Sequence, residues 1–596
     1  MFSQIKYKHF LFLLLVYITF TLLFGEGILM PLGSFSIPFP GRYQYFFWWQ
    51  NWDVLLSLVA IPVLAKSNRA EKFFVRLEGL HLQLKEKTVM FAILLGFSLV
   101  VHFFVLLQMH LTDDESAYRF SAQLLAHGQM TAQSFPHREF FERVFMINDG
   151  RFFSQYYYGW PFLLAIGEFI RLPFLINSIL FACTACLLYT LLESFTSNIW
   201  ALTGTCFFSL SPLMLIGSAS YLSQTSTTFL FVLFLTNYRI FSIENKRNSI
   251  GPLVLMALSG GAMLITRPYT AALLCAPFVV SIFILFAQKK TCLWSIIAFV
   301  LVGAAMCVFF FLINKILHGS ILGSGYTHYL TSAESNKFVY SFWNPTPNQL
   351  SRDSIPPTFS LPPIANLLQV FVSSFTRLNY DGAMLPSPLL LVVAALFGFR
   401  IGKAYGVSFL LSIIGYSIWL DLGVDSFGPV HLSETVPLAI LFFVSLLYHT
   451  TPQINKLLAS LNVQTTQGSI AVGMSILLCA AVCYLPIRLL NVHIMAQNIR
   501  FPYEQAEARG INNAVIFSAP PIAAQNAIAP LRHFRFWRDN PSIDLSDEII
   551  WVNDFGDVQN KKLRELFPDR TFYRMVWQNN EKSLLFNRIK DVSPRK

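Results

Sequence analysis

Apolar runs long enough to cross a bilayer recur along most of this chain, separated by short polar loops. The pattern predicts helices near Phe10–Met30, Phe47–Ala65, Thr88–Gln108, Leu172–Leu192, Trp200–Gly217, Ser223–Phe241, Leu253–Ile265, Ala271–Ala287 and Leu293–Ile313. Four more follow, near Leu385–Phe399, Tyr405–Leu420, Val436–Tyr448 and Ser469–Leu489. The expectation is a mainly α, polytopic membrane protein with about thirteen spans, by the length that a bilayer demands. The run Gly159–Ile170 is short for a span, and counting it would reverse every later loop, so it is placed at the outer surface or in a re-entrant dip. From about Val492 the pattern changes to that of a soluble α/β domain. Ala514–Phe517 and Glu548–Val552 read as strands, Val558–Phe567 reads as a helix, and Pro520-Pro521 and Asn540-Pro541 mark loops.

Composition agrees with the pattern: 54% of residues are hydrophobic, only 13% are charged and 59 are Phe, which excludes a soluble fold. The net charge of +11 would suggest nucleic acid, but the basic residues gather in loops between apolar runs, so they report orientation. The richest cluster, Lys66, Arg69, Lys72, Arg76, Lys85 and Lys87, belongs on the cytoplasmic side, as do Arg239 with Lys246 and Arg247, Lys289 with Lys290, and Arg400 with Lys403. The amino terminus, with Lys6 and Lys8 before an apolar stretch, reads as a retained signal anchor with its end in the cytoplasm. The third helix then runs outward. Residues 1–87 form a helical hairpin with a basic cytoplasmic loop, and 88–491 form a membrane core with long outer loops at 111–158 and 314–384. Residues 492–596 form the outer domain. The eight cysteines lie in or beside apolar segments and imply no disulfide framework; Cys183 and Cys186 suit helix packing better than metal.

Where the third helix emerges stand three acids, Asp113-Asp114-Glu115, opening a stretch whose Tyr118, Ala122 and Leu125 share one helical face. Thr112 and Glu115 have the spacing of a capping box, and carboxylates suit a helix start. One cap does not need three acids, however, and charges so near the hydrocarbon generally serve binding or chemistry.

Asp113-Asp-Glu-Ser-Ala-Tyr118 and Ser154-Gln-Tyr-Tyr-Tyr-Gly-Trp-Pro161 resemble the first outer loop of GT-C glycosyltransferases, most of all the protein O-mannosyltransferase and aminoarabinose transferase group. The resemblance continues through Ser209-Leu-Ser-Pro212, Gly217–Gln224, Ile265-Thr-Arg-Pro268, Leu317-His-Gly-Ser320 with Gly325-Tyr326, Phe427-Gly-Pro-Val-His431 with Glu434 and Pro437, and Phe567-Pro-Asp-Arg570. Each motif is weak, and their shared order from about Thr88 onward carries the weight. Two departures stand out. Tyr157-Tyr158 replaces a Pro-Pro pair common in relatives, and Val430-His431 replaces an Arg-Tyr pair.

The resemblance implies inverting transfer of a sugar from a polyprenyl-phosphate donor to a lipid, glycan or protein acceptor at the outer face. A bacterial inner membrane is the implied location. It assigns the base to Asp114, with Asp113 as competitor and Glu115 as a supporting carboxylate, and places Tyr118 and Tyr326 among the substrate-binding residues. The chemistry asks for a carboxylate to take the acceptor proton, cations for the leaving phosphate and an apolar groove for the isoprenoid. Arg119, Arg138, Arg143, Arg151 and Arg267 are cation candidates, with snorkelling or solvated roles the ordinary alternative; Arg119 and above all Arg267, near the end of a span, are retained. His431 and Glu434, near Asp421 and Asp425, form a second polar cluster that suits donor phosphate or sugar hydroxyls, or equally a helix cap. Whether a divalent cation is held is left open. The aromatic stretch Phe152–Trp160 suits an interfacial belt or a sugar-stacking surface, and 314–384 is long enough for a lid. A lipid-linked glycan polymerase or ligase, a transporter or flippase, and a non-catalytic binder are the rivals. Duplicated halves, the mark of many transporters, are not evident.

Overall fold

A computed structural model describes residues 56–332, 371–419, 427–460, 468–518, 542–578 and 583–589, apart from 80–81, 244–247 and positions 58, 144 and 373. The helix expected at Phe10–Met30, the start of the one expected at Phe47–Ala65, the acids Asp421 and Asp425, the loop markers Pro520-Pro521 and Asn540-Pro541 and most of the 314–384 loop lie outside the described residues.

The described chain is mainly helical, and it is an integral membrane protein. Six helices among the described residues are long and apolar enough to cross a membrane: Leu84–Val105, Phe174–Glu193, Pro268–Ala287, Leu293–His318, Val430–His449 and Gly468–Ala508. The pair Asn198–Leu210 and Pro212–Ala219 is long and apolar enough only when taken together, and it is bent by 58°, as in a broken span or a re-entrant loop. The bend has a local cause: Pro212 cannot donate into the preceding turn, and Ser211 caps the new helix by accepting from the Met214 amide. Ile250–Thr266, Pro388–Ile401 and Lys403–Ile418 are apolar but shorter. Gln224–Ser242 opens with Gln-Thr-Ser-Thr-Thr and is not among the candidate spans. Among the described residues the count of thirteen is not confirmed: Ile250–Thr266, Pro388–Ile401 and Lys403–Ile418 are short for a span, and the helix expected at Phe10–Met30 lies outside those residues. Gly159–Phe169 is a short helix of 11 residues.

Burial separates centre from periphery. Val430–His449 is buried almost throughout, whereas Leu293–His318 exposes Leu301, Val308, Leu312 and Ile316, as a lipid-facing helix must. Serine seams tie the bundle: Ser98 bonds Ser178 at 2.9 Å and Ser218 at 2.8 Å. Such contacts satisfy polar groups where no water competes.

Two small sheets complete the molecule. The first loop folds as the antiparallel order β1-β3-β2, with β1 at Ala132–Gln133, β2 at Met146–Asn148 and β3 at Arg151–Ser154. The C-terminal sheet has the order β5-β4-β6-β7, where β4 is Ala514–Ser518, β5 Ile549–Asn553, β6 Thr571–Gln578 and β7 Ser583–Arg588. β4 runs parallel to β5 and β6, and both of its faces are buried, which explains its unbroken Ala-Val-Ile-Phe sequence. One face packs on the end of helix Leu485–Ala508 through Ala506, and the other on Phe140 and Phe141 of the first loop.

Candidate active site

Helix Asp113–Ala126 begins where the span Leu84–Val105 ends, after Leu107 and Gln108 turn the chain in a left-handed conformation. Thr112 caps it by accepting from the Glu115 amide. Glu115 is wholly buried. Its Oε1 accepts from the Leu111 amide at 2.9 Å and its Oε2 from the Tyr221 amide at 2.9 Å, so the carboxylate is a clamp between the first loop and the Ser220–Ser223 turn. Burial raises the pKa of Glu115, against His110 and its amide partners. The same turn is held from the other side, because Trp160 Nε1 donates to the Tyr221 carbonyl at 2.7 Å and Asn177 donates to Ser220 and Leu222.

Asp114 lies one residue away and does something different. Its Oδ1 accepts a hydrogen bond from the Tyr156 hydroxyl. The Tyr156 ring lies 4.6 Å from that of Tyr118 at a tilt of 32° and meets Tyr326 edge-on at 5.9 Å. Burial first, and then the adjacent Asp114 charge, raise the pKa of Asp113 well above the carboxylate range, with Arg143 opposing.

The second half of the site comes from distant segments. Arg267 stands at the joint between helices Ile250–Thr266 and Pro268–Ala287. Its Nη2 donates to His431 Nδ1 at 3.1 Å and to the Tyr416 hydroxyl at 3.4 Å, and its Nε lies 3.3 Å from Glu434 Oε1. Guanidinium has no acceptor, so His431 Nδ1 receives this bond. His431 also lies flat on Tyr416 at 5.2 Å. Glu434 is fully buried, and Arg267 is its ionic partner among the described residues.

Tyr118 joins the two halves. Burial dominates the raised pKa of its phenol, and the charges of Asp114, Arg267 and Glu434 all act on it. Tyr326 likewise senses Tyr118, Arg267 and Asp114. Close approaches of backbone permit this convergence. A Cβ on Gly159 would fall 2.3 Å from Thr266 Oγ1, and one on Gly325 would fall 1.9 Å from the Gln155 carbonyl. Glycine alone lets the Gly159–Phe169 helix touch the Thr266-Arg267 joint and lets the Gly325–Ser332 helix settle on the first loop.

Asp113, Asp114, Tyr118, Arg267, Tyr326, His431 and Glu434 thus share one neighbourhood. Arg119 turns elsewhere: it pairs with Glu168 at 2.8 Å and covers the Tyr221 ring at 5.3 Å. Arg138 supports the first-loop sheet through the Asn148 carbonyl, and Arg151 closes the end of a span by donating to Ile316 and Leu317. Sequence reasoning missed Tyr416 and a buried cluster behind Gly428. There Asp381 pairs with Arg488 at 2.8 Å, accepts from the Tyr484 hydroxyl at 2.6 Å and packs against Gly428. An arginine inside the apolar run Ser469–Leu489 was the available signal for it. Among the described residues no group of three His, Cys, Asp or Glu side chains could hold a metal ion.

No protein-family model matches the sequence, and no curated protein matches it. Among solved structures, the chain is similar to ArnT from Cupriavidus metallidurans bound to undecaprenyl phosphate, at 11% identity and a TM-score of 0.45 over 83% of this chain and 94% of that one. It is also similar to the Archaeoglobus fulgidus oligosaccharyltransferase in the apo form, at 12% identity and a TM-score of 0.43 over 82% of this chain and 69% of that one. Both are GT-C proteins. At this distance the function has to be read from the side chains of this chain.

Proposed function

We propose that this chain is a membrane glycosyltransferase that moves a sugar from a polyprenyl-phosphate donor to an acceptor hydroxyl at the outer membrane face, with inversion at the sugar carbon. The observation that carries the reading is the meeting of Asp114 with the Arg267, His431 and Glu434 group across Tyr118, although these residues come from opposite ends of the core. A base and an anion-binding guanidinium on either side of an aromatic wall are what displacement at a glycosyl phosphate requires.

In this reading Asp114 takes the acceptor proton as the acceptor oxygen attacks the anomeric carbon. The bond to the phosphate oxygen breaks, and Arg267, which already donates to Thr270, Tyr416 and His431, turns donors toward the departing phosphate. Asp113, whose carboxyl is pushed up by burial and by the Asp114 charge, is the weaker base of the two. Glu115 acts through position, fixing the start of the helix. Tyr118, Tyr156 and Tyr326 wall the sugar, and lipid-facing helices around the site hold the isoprenoid. The three-part organisation, with the amino terminus inside and residues 492–596 outside, belongs to the same proposal.

The test is transfer by purified protein in lipid from a panel of polyprenyl-phosphate sugars, comparing the unmodified chain with Asp114→Asn and Asp113→Asn. Loss only in Asp114→Asn, with donor binding kept, supports the reading. Equal activity in both variants moves the base elsewhere. Absence of transfer with every donor favours transport or binding alone.

A further inference from the structure

The helix Gly325–Ser332, which carries Tyr326, is fastened to the first-loop hairpin at three points. Gly325 lies against the Gln155 carbonyl, and the Tyr329 hydroxyl accepts from the Phe145 amide at 3.2 Å. The third point is polar and joins three elements: His328 Nε2 bonds Asp149 Oδ2 at 2.9 Å, while His328 Nδ1 faces His318 Nδ1 at 3.1 Å.

The chain closes on itself. Asp149 sits in the turn between β2 and β3, and its Oδ1 accepts from the Arg151 amide at 3.2 Å. The Arg151 guanidinium donates to the Leu317 carbonyl at 2.9 Å, immediately before His318 at the end of its span. The buried Phe153 ring lies against both imidazoles, at 6.0 Å from His318 and 5.8 Å from His328. Asp149 accepts from His328, so His328 Nε2 carries a proton, and one further proton lies between the facing Nδ1 atoms. A second proton there would set two donors against each other. The charged groups around the pair are Asp149, which accepts from His328, and Arg151, whose charge acts on His318.

We propose that Asp149, His328 and His318 are positioning residues: their hydrogen-bonded chain locks the Gly325–Ser332 helix in the rotation that sets Tyr326 edge-on against Tyr156, the hydrogen-bond partner of Asp114. The assignment of a catalytic purpose to that placement rests on the transferase reading above; the lock itself does not. Gly325 and Tyr329 hold the helix down, but the imidazole chain ties it sideways to both the span and the hairpin, which packing alone leaves free to slide.

Hydrogen exchange of residues 325–332 in the full-length protein in lipid tests the lock without any substrate. His328→Ala and Asp149→Ala should speed exchange there by about tenfold, the effect of one hydrogen bond of ordinary strength, while the bundle spans keep their protection. His318→Ala should do the same and His318→Asn should restore protection, because its amide can stand where Nδ1 stood. In transfer assays the unlocked variants should lower kcat/KM while an unfolding transition stays in place. Unchanged exchange in the alanine variants, or His318→Asn behaving like His318→Ala, overturns the lock whatever the activity. Faster exchange with no transfer by the unmodified protein keeps the lock and removes the transferase reading.

Discussion

Asp114 and Glu115 are neighbours with opposite commitments. Both oxygens of Glu115 are taken by backbone amides, whereas Asp114 accepts from a tyrosine hydroxyl in the aromatic wall. Asp114→Asn should therefore lower kcat by about 10²–10⁴-fold with folding intact, the range for loss of a general base. Glu115→Gln should instead lower the unfolding midpoint, because one amide loses a charged acceptor. Arg267 and Glu434 form a pair in which neither member is well satisfied alone. Arg267→Gln leaves a buried, unpaired carboxylate and should cost about 3 kcal/mol of stability. Adding Glu434→Gln should recover much of that stability and none of the activity, which a thermal-unfolding and transfer comparison of the single and double variants checks. Glu142, outside the membrane, offers a pH prediction. Burial, opposed by Arg138 and helped by Glu139, raises its pKa from 4.5 to about 7. The folded state therefore binds its proton more tightly than the unfolded state. That contribution is complete below pH 4.5 and is lost as pH rises through about 7. Glu142→Gln should remove the loss, so its unfolding midpoint should overtake that of the unmodified chain between mildly acidic and mildly alkaline pH.

At the level of elements, the sequence made the strongly patterned pieces visible and hid the contacts between them. The capped helix after the acids, the spans near Phe174–Glu193 and Leu293–His318, and the strands Ala514–Ser518 and Ile549–Asn553 were legible because periodicity and caps are local. The number of crossings is a weaker reading, since hydropathy alone does not separate a crossing helix from a shorter apolar one such as Ile250–Thr266. In the site, acids and arginines at membrane edges stood out by rarity, but the fate of each arginine depended on partners far away in the chain: Glu168 captures Arg119, and Glu434 holds Arg267. Tyr416 looked like any aromatic in a span. The Gly-Trp-Pro motif gains a physical meaning from the fold, because Gly159 admits the Thr266 backbone and Trp160 holds the Tyr221 carbonyl. Gly159→Ala should push helix Gly159–Phe169 off the Arg267 joint and cost about 1–3 kcal/mol, as small-to-large changes in packed interiors do. Activity should fall with it, and Thr266→Ser, which keeps the hydroxyl and trims a methyl, should leave both nearly unchanged.

Across the whole molecule, the loop of residues 111–158 is the shared part. From below it is fixed to the spans by Glu115 and Trp160, which grip both sides of Tyr221. From the far side it is fixed to the C-terminal sheet, where Phe140 and Phe141 join the core of Val515, Phe517, Ile550 and Val552, and Asn553 donates to the carbonyls of Glu139 at 3.0 Å and Glu142 at 3.3 Å. That sheet in turn rests on helix Leu485–Ala508, which continues without a break from the last membrane span. A sheet held on both faces in this way is a brace for the loop that presents Asp114, not a separate passenger. Phe140→Ala removes a fully buried ring and should cost about 3–5 kcal/mol locally, as large core truncations do. If the sheet braces the loop, hydrogen exchange should rise in residues 138–148 as well as in β4 and β5, and kcat should fall although no substituted atom lies in the site. Asn553→Ala should give a smaller change of the same kind. A passenger sheet would show faster exchange in its own strands only, with the first loop and the rate of transfer untouched.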